Sequence, residues 1–157
     1  MYLPIKKFMQ TAIKQAHISK DNGDYAIGAV VVKNGKVLAE GLNRSKSDDD
    51  ATSHSEIVAI RGASKIIGSR HLKGCVLYTT HEPCSMCTSA AIWARLDGIV
   101  FGSRKNDMAE YASLNANKEW SWRTIDITAS EIIAKSHPKL FLIQDFMRAE
   151  CNKLFHS

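Results

Sequence analysis

The sequence predicts an α/β fold, a three-layer α/β/α sandwich around a central mixed five-stranded sheet, as one domain over residues 1–157. Three observations predict it. An apolar stripe at helical spacing opens the chain, two strand-like runs flank Asn34-Gly35, and strand-like and helix-like runs then alternate as far as Ile99-Val100-Phe101. With 45% hydrophobic and 24% charged residues, 157 residues suffice for one sizeable core.

Ile5, Phe8, Met9, Ala12, Ile13 and Ala16 form a stripe that a first helix would lay against the sheet. Asp21-Asn22-Gly23-Asp24 is turn chemistry, and Ala26 to Val32 is the first strand. Asn34-Gly35 joins it to Val37-Leu38-Ala39, so the sheet opens with an antiparallel hairpin. Gly28 inside the first strand marks a bulge or a place where a ligand or another backbone comes close. Asn43 to Thr52, with three successive aspartates, is a loop expected to cap a second helix through Thr52 or Ser53. That helix carries Ile57, Val58, Ile60, Ala63 and Ile66 and stops near Gly68. Cys75 to Thr79 is a third strand, Cys84 to about Arg95 a third helix, and Ile99-Val100-Phe101 a fourth strand. Such alternation is the pattern of a parallel crossover, with both helix starts gathered beyond the carboxyl ends of strands. Thr124 to Thr128 is expected as the fifth strand, and Pro138 as the first turn of a last helix bearing Leu140, Phe141, Ile143, Met147 and Leu154. Between Ser103 and Trp122 lies a polar segment with Tyr111, Trp120 and Trp122, long for a connector and suited to shaping a pocket.

The formal charge of +5 and pI near 9.1 raise the question of a nucleic-acid partner. Cut at residues 50 and 102, the chain shows basic excesses of two, two and one, which is a solvated surface rather than a basic block. The opening residues lack the long apolar run of a signal peptide and no segment reaches a membrane-spanning length, so a cytoplasmic protein is expected. Cys75 and Cys151 are read as buried small apolar residues, and His17, His71, His137 and His156 as surface or capping residues.

The chemistry concentrates in His54-Ser55-Glu56 and His81-Glu82-Pro83-Cys84-Ser85-Met86-Cys87. Two cysteines three apart at a helix start put two sulfurs on one face, and His54 adds an imidazole. A catalytic zinc takes three such ligands and leaves a fourth position open. Glu56, two residues from a ligand and not needed as one, is placed as a general base. Pro83 fixes the chain ahead of the helix, whose positive end lowers the thiol pKa values. A thiol redox pair, or a structural four-ligand zinc completed by Cys75 or His81, uses the same cysteines; neither gives Glu56 a role. Trp93 falls on the helical face opposite Cys84 and is assigned to core or a subunit interface.

These two half-motifs resemble the H-x-E, P-C-x-x-C signature of the cytidine deaminase superfamily, and the resemblance runs from about Ala26 to Gly102. It implies a cytidine deaminase-like fold, zinc on His54, Cys84 and Cys87, and Glu56 moving the protons of a hydrolytic deamination that releases ammonia from a nucleobase. It further implies Asn43 as a substrate contact, where the residues alone leave a turn role equally open. Ile27, Ala29 and His81 are the other substrate contacts it implies, and a homodimer the assembly.

Leu77-Tyr78-Thr79-Thr80 and Cys84 to Thr88 look like the cytosine and guanine branches, and Ile92-Trp93-Ala94-Arg95 is similar to the Tyr-Trp-Ala-Arg of guanine deaminases. Ala26-Ile27-Gly28 stands where that branch has Pro-Phe-Gly. Asn43-Arg44 and Val100-Phe101-Gly102 look like the transfer RNA adenosine deaminases, which continue with a Lys-Thr-Gly-Ala-like run where this chain has Asp107-Met108-Ala109-Glu110. Two acidic residues facing a polyanion are unfavourable. The sequence therefore ranks a free nucleobase or nucleoside, in purine or pyrimidine salvage, above transfer RNA, with a non-enzymatic zinc module as the outside alternative.

Overall fold

A computed structural model describes residues 1–115 and 124–155. Its elements are α1 (Lys6–Asp21), β1 (Gly28–Lys33), β2 (Lys36–Leu42), α2 (Ser55–Ile67), β3 (Cys75–His81), α3 (Ser85–Trp93), β4 (Gly98–Ser103), α4 (Lys105–Asn115), α5 (Ala129–Ala134), β5 (Phe141–Ile143) and α6 (Arg148–Asn152). The five strands form one mixed sheet in the order β2-β1-β3-β4-β5. The first hairpin and the β1–β3 pair are antiparallel, whereas β3–β4 and β4–β5 are parallel. Helices cover both faces, giving the three layers expected.

The hairpin turns where Asn34-Gly35 places it. Both residues have positive φ, 50° and 73°, as the tight turn that matches strand twist requires. A register shift lies between Val31 and Val32, so the irregularity in β1 is not at Gly28. Gly28 instead marks a close approach: a methyl there would overlap the backbone of α1 at Ala12 and Ala16. Gly41 does the same on the opposite face for α2, where an added methyl would meet the Ser55 carbonyl oxygen and lie 2.7 Å from Ala59 N.

Side chains divide by strand alternation into two cores. Ala29, Val31, Leu77, Ile99 and Phe101 pack with Ala59, Ile60, Ala63 and Ala91 of α2 and α3. Val30, Val32, Val76, Tyr78 and Val100 pack with Phe8, Met9 and Ala12 of α1 and with Cys151 of α6. Cys75 and Cys151 are buried thiols. Trp93, in contrast, is 82% exposed and belongs to neither core.

Four local expectations are corrected. Helix α2 is capped at His54, with no side-chain cap, because the hydroxyls of Thr52 and Ser53 are spent on the Asp50 carboxylate at 2.8 Å each. Thr124–Thr128 is not a strand; it leads into α5, where Thr128 Oγ1 accepts from Glu131 N and the Glu131 side chain accepts from Thr128 N. Pro138 begins no helix: the fifth strand is Phe141–Ile143, paired with Gly98, Ile99 and Val100. Leu140, Phe141, Ile143 and Met147 fit a helical stripe and a strand followed by a turn equally well, and the open edge of β4 takes the strand. Ser103 to Asn115 is largely helix α4 rather than connector; Trp120, Trp122 and His156 lie outside the described residues. No helix among the described residues is long and apolar enough to cross a membrane.

The Gly41 contact yields a test. Gly41→Ala should cost about 1–3 kcal/mol through overpacking against α2, read as a lower denaturant midpoint at unchanged slope. An unchanged midpoint would show that α2 lifts off the sheet freely.

Candidate active site

Strands β2 and β3 run the same way on either side of β1, so the chain leaves both at the same edge of the sheet. The helix after each, α2 and α3, therefore starts there. Their N-cap residues are His54 and Cys84, both in extended backbone (φ −69°, ψ 154° and φ −65°, ψ 175°), and neither side chain caps its own helix. Each turns toward the other. His54 Nδ1 lies 3.6 Å from Cys84 Sγ and 3.5 Å from Cys87 Sγ, and the three donor atoms lie within 4.8 Å of one another.

This donor set fits zinc. Bonds of about 2.3 Å to sulfur and about 2.0–2.1 Å to nitrogen at a tetrahedral angle require a nitrogen–sulfur separation of about 3.5–3.6 Å. Both observed separations meet it. A redox pair would need no imidazole between the sulfurs. Neither candidate fourth ligand, Cys75 or His81, belongs to the cluster among the described residues. Cys75 lies at the far end of β3, and His81 packs against the Phe155 ring at 5.5 Å.

Protonation follows from these contacts. The hydrogen bond from Cys87 and that from His54 bring the Cys84 thiol down to about 4 against the opposing effect of burial. Donating to Cys84 and being buried push Cys87 up. The hydrogen bond to Cys84 likewise raises His54, aided by the charges of Glu56 and Cys84. The hydrogen bonds thus favour the thiolate at Cys84, the form in which a cysteine binds a metal.

Glu56 stands beside it in the first turn of α2, 4% exposed. Its Oε2 accepts from Ser55 Oγ at 3.0 Å and lies 3.6 Å from Cys87 Sγ; its Oε1 lies 3.2 Å from Thr79 Oγ1. Burial first, and the Cys84 charge second, raise its carboxyl above the ordinary carboxylate range, while His54 and Ser55 act against them. A carboxyl poised in that way can both take and return a proton.

Asn43 is 2% exposed at the end of β2. Its Oδ1 accepts from Ser45 N at 3.0 Å and Ser45 Oγ at 2.8 Å, and among the described residues its Nδ2 has no partner. It is a turn residue and a held donor at once, so the two roles open in the sequence are compatible. The turn is fixed from below by Asp24, whose buried Oδ2 accepts from Lys46 N, Ser47 N and Ser47 Oγ at 3.0–3.1 Å.

Of the other expected contacts, Ile27 is half-buried beside Asn43, its carbonyl accepting Asn43 N at 3.3 Å. Ala29 is fully buried in the sheet next to Thr79, among core residues. His81 is buried, and burial takes its imidazole down to about 3. It is therefore neutral, and its Nδ1 is hydrogen-bonded at 2.7 Å to Thr80 Oγ1, which also accepts from Gly28 N.

Thr79, Ser55 and Glu82 escaped the sequence reading. Strand alternation from Leu77 would have placed Thr79 on the α2 face, and Ser55 adjoins Glu56. Nothing local marks Glu82, whose Oε1 accepts from Lys105 N at 3.0 Å and Oε2 from Ala129 N at 3.1 Å, so that one carboxylate holds the starts of α4 and α5 beside Pro83.

The comparisons agree with this geometry. The family model for the cytidine and deoxycytidylate deaminase zinc-binding region matches residues 4–103. A guanine deaminase of Bacillus subtilis (strain 168) is 45% identical over 83 residues, 53% of this chain and 53% of the relative, so the match spans about half of that protein. A tRNA-specific adenosine deaminase of Buchnera aphidicola subsp. Baizongia pistaciae is 33% identical over 152 residues, 97% of this chain and 86% of the relative. Among solved structures, a chain from work on A-to-I editing by tRNA:A34 deaminases superposes with a TM-score of 0.78 at 26% identity, covering 96% of this chain and 99% of the other. The Bacillus subtilis guanine deaminase gives a TM-score of 0.66 at 31% identity over 82% of this chain and 89% of the other. Fold, donor set and family model together place this chain in the cytidine and deoxycytidylate deaminase family of zinc-binding hydrolases that act on C–N bonds.

Proposed function

We propose that the chain deaminates a purine amine, with zinc on His54, Cys84 and Cys87, Glu56 as the proton carrier and Asn43 as a substrate contact. The observation that carries this reading is the buried Glu56 carboxyl, held between Ser55 and Thr79 and 3.6 Å from Cys87 Sγ. When bound, zinc supplies Lewis acidity and lowers the pKa of water from about 15.7 to about 7, giving a nucleophile at neutral pH. Glu56 takes a proton from the attacking water and delivers it to a ring nitrogen; it then takes the second proton, from the hydroxyl added to the ring carbon, and passes it to the amine, which leaves as ammonia as the C–N bond breaks and the C=O bond forms. The Thr79 and Ser55 hydroxyls hold the carboxyl in place during both transfers. Asn43 Nδ2 offers the base a donor that Ser45 keeps from rotating, and Ile27 forms the adjoining wall. Ala29 and His81 act through the sheet end rather than by reaching the base directly.

Both relative classes act, by name, on purine amines, guanine and adenosine. The wobble adenosine of transfer RNA is the first reading, because the relatives that align along nearly the whole chain are tRNA enzymes. Of the two acidic residues that weigh against RNA, Glu110 is exposed and Asp107 is neutralised within the chain. Asp107 is not displayed to a ligand: its side chain is 12% exposed, accepts from Arg148 Nε at 2.8 Å and caps Arg104 N at 2.8 Å. Free guanine is the second reading, favoured by the 45% identity over about half the chain and by the Ile92 to Arg95 run.

Three outcomes are expected. Glu56→Gln should retain one zinc per chain and lose about 10²–10⁴ in kcat, whereas His54→Ala and Cys87→Ser should lose the metal, as elemental analysis reads; a fully active Glu56→Gln protein would remove the carboxyl from the mechanism. Asn43→Ala should keep zinc and lower kcat/KM about tenfold, the worth of one hydrogen bond to a base; an unchanged value would leave Asn43 as a turn residue only. Ammonia release from guanine, cytosine, adenine and their nucleosides, with inosine formation in an anticodon stem-loop, separates the two substrate readings. Silence on all of them by zinc-loaded protein would overturn the purine assignment.

A further inference from the structure

The chain's basic charge, evenly spread in sequence, is gathered in space. A groove follows α2, α3 and α5 and is bounded by the turns that lead from these helices into β3, β4 and β5. Lys65, Arg70, Lys73, Arg95, Lys135 and Lys139 line it, and all six are exposed. Asp97 is the one carboxylate in its lining, and Asp97 Oδ1 already accepts from Gly74 N. Six cations against one anion leave an excess of five, equal to the formal net charge of the whole chain. None of the six forms an ion pair among the described residues. His71, in the same groove, is held below its ordinary value by lost hydration and then by the charges of Arg95, Arg70 and Lys73.

Trp93 lies in this groove, 82% exposed and two residues from Arg95. At a rise of about 1.5 Å per residue, it sits about 13 Å along α3 from Cys84, clear of the zinc donors. Cations without ion pairs that line one groove together with an exposed indole match a phosphate backbone whose bases can stack. A second copy seated face to face here would oppose six cations to six others, so charge disfavours that occupant.

We propose that this groove is a nucleic-acid-binding surface: the six cations take the phosphate backbone and Trp93 stacks an unpaired base. It is separate from the zinc site and concerns binding, not turnover, so it can stand or fall independently of the substrate reading above.

The test is fluorescence anisotropy with labelled anticodon stem-loop RNA, a scrambled RNA hairpin and single-stranded DNA of equal length, each across a salt series. The groove set R70Q/K73Q/R95Q is compared with an equal neutralisation on exposed positions elsewhere, K6Q/K14Q/K36Q. The groove set should weaken binding about tenfold or more at moderate salt and reduce the salt slope by roughly two, while the control set leaves both near wild type. Trp93→Ala should weaken binding about tenfold with the slope unchanged. Preference for RNA over DNA would assign the ligand to RNA; equal affinity would assign it to nucleic-acid backbone in general. No binding by the wild type, equal effects of both sets, or no effect of the groove set would overturn the proposal. So would a Trp93→Ala change in sedimentation mass without a change in affinity, which would make this face a contact between copies. Tight groove-dependent binding without any wobble deamination would retire the tRNA reading and leave this one standing; the reverse result would do the opposite.

Discussion

The arrangement depends on how closely α2 lies against the sheet at Gly41. The Ser55 carbonyl occupies the space a side chain would fill there, and Ser55 is flanked by His54 and Glu56. One contact therefore sets the position of an imidazole and a carboxyl together. From it follow the separations of His54 from the two sulfurs and of Glu56 from Thr79. Burying a carboxyl costs several kcal/mol unless its oxygens are satisfied, and the Ser55 and Thr79 hydroxyls supply that here. The site is thus a packing result before it is a chemical one.

The two helix ends also show an exchange of local for long-range stability. Helices in globular proteins commonly place Ser, Thr, Asp or Asn at the N-cap, worth about 1 kcal/mol each. Here His54 and Cys84 occupy those positions and offer no such bond. The loss is what lets both side chains face outward to a shared point, and a metal binding there returns the stability through linkage. Nearby Asp50, Asp24 and Asn43 show that hydroxyl and carboxylate capping chemistry is present in the loop; it is used to brace the loop itself.

Local signals carried most of the fold and the centre of the site. Asn34-Gly35 fixed a turn, Gly68 adopts the left-handed conformation that ends α2, and the two half-motifs fell at adjacent helix starts. The tail was harder for a physical reason. Phe141-Leu142-Ile143 is only three residues and becomes a strand because β4 offers an unpaired edge, a fact no window of sequence contains. The Thr128-x-x-Glu131 capping box was visible, and reading Ile125 and Ile127 as strand alternation hid it. Charge was legible only in space for the same reason, since Asp107 meets Arg148 across 41 positions and the six groove cations come from the ends of α2, α3 and α5 and the turns that follow them. Pairing and convergence of this kind exist only in the fold.

Glu82 is a common anchor for two helices. The excursion that leaves at Lys105 and returns at Ala129 is pinned at both ends to one carboxylate, two residues from Cys84. The two helices are in effect hung on one hub, and a shift of that hub would disturb both helix starts and the neighbouring Pro83-Cys84 turn at once.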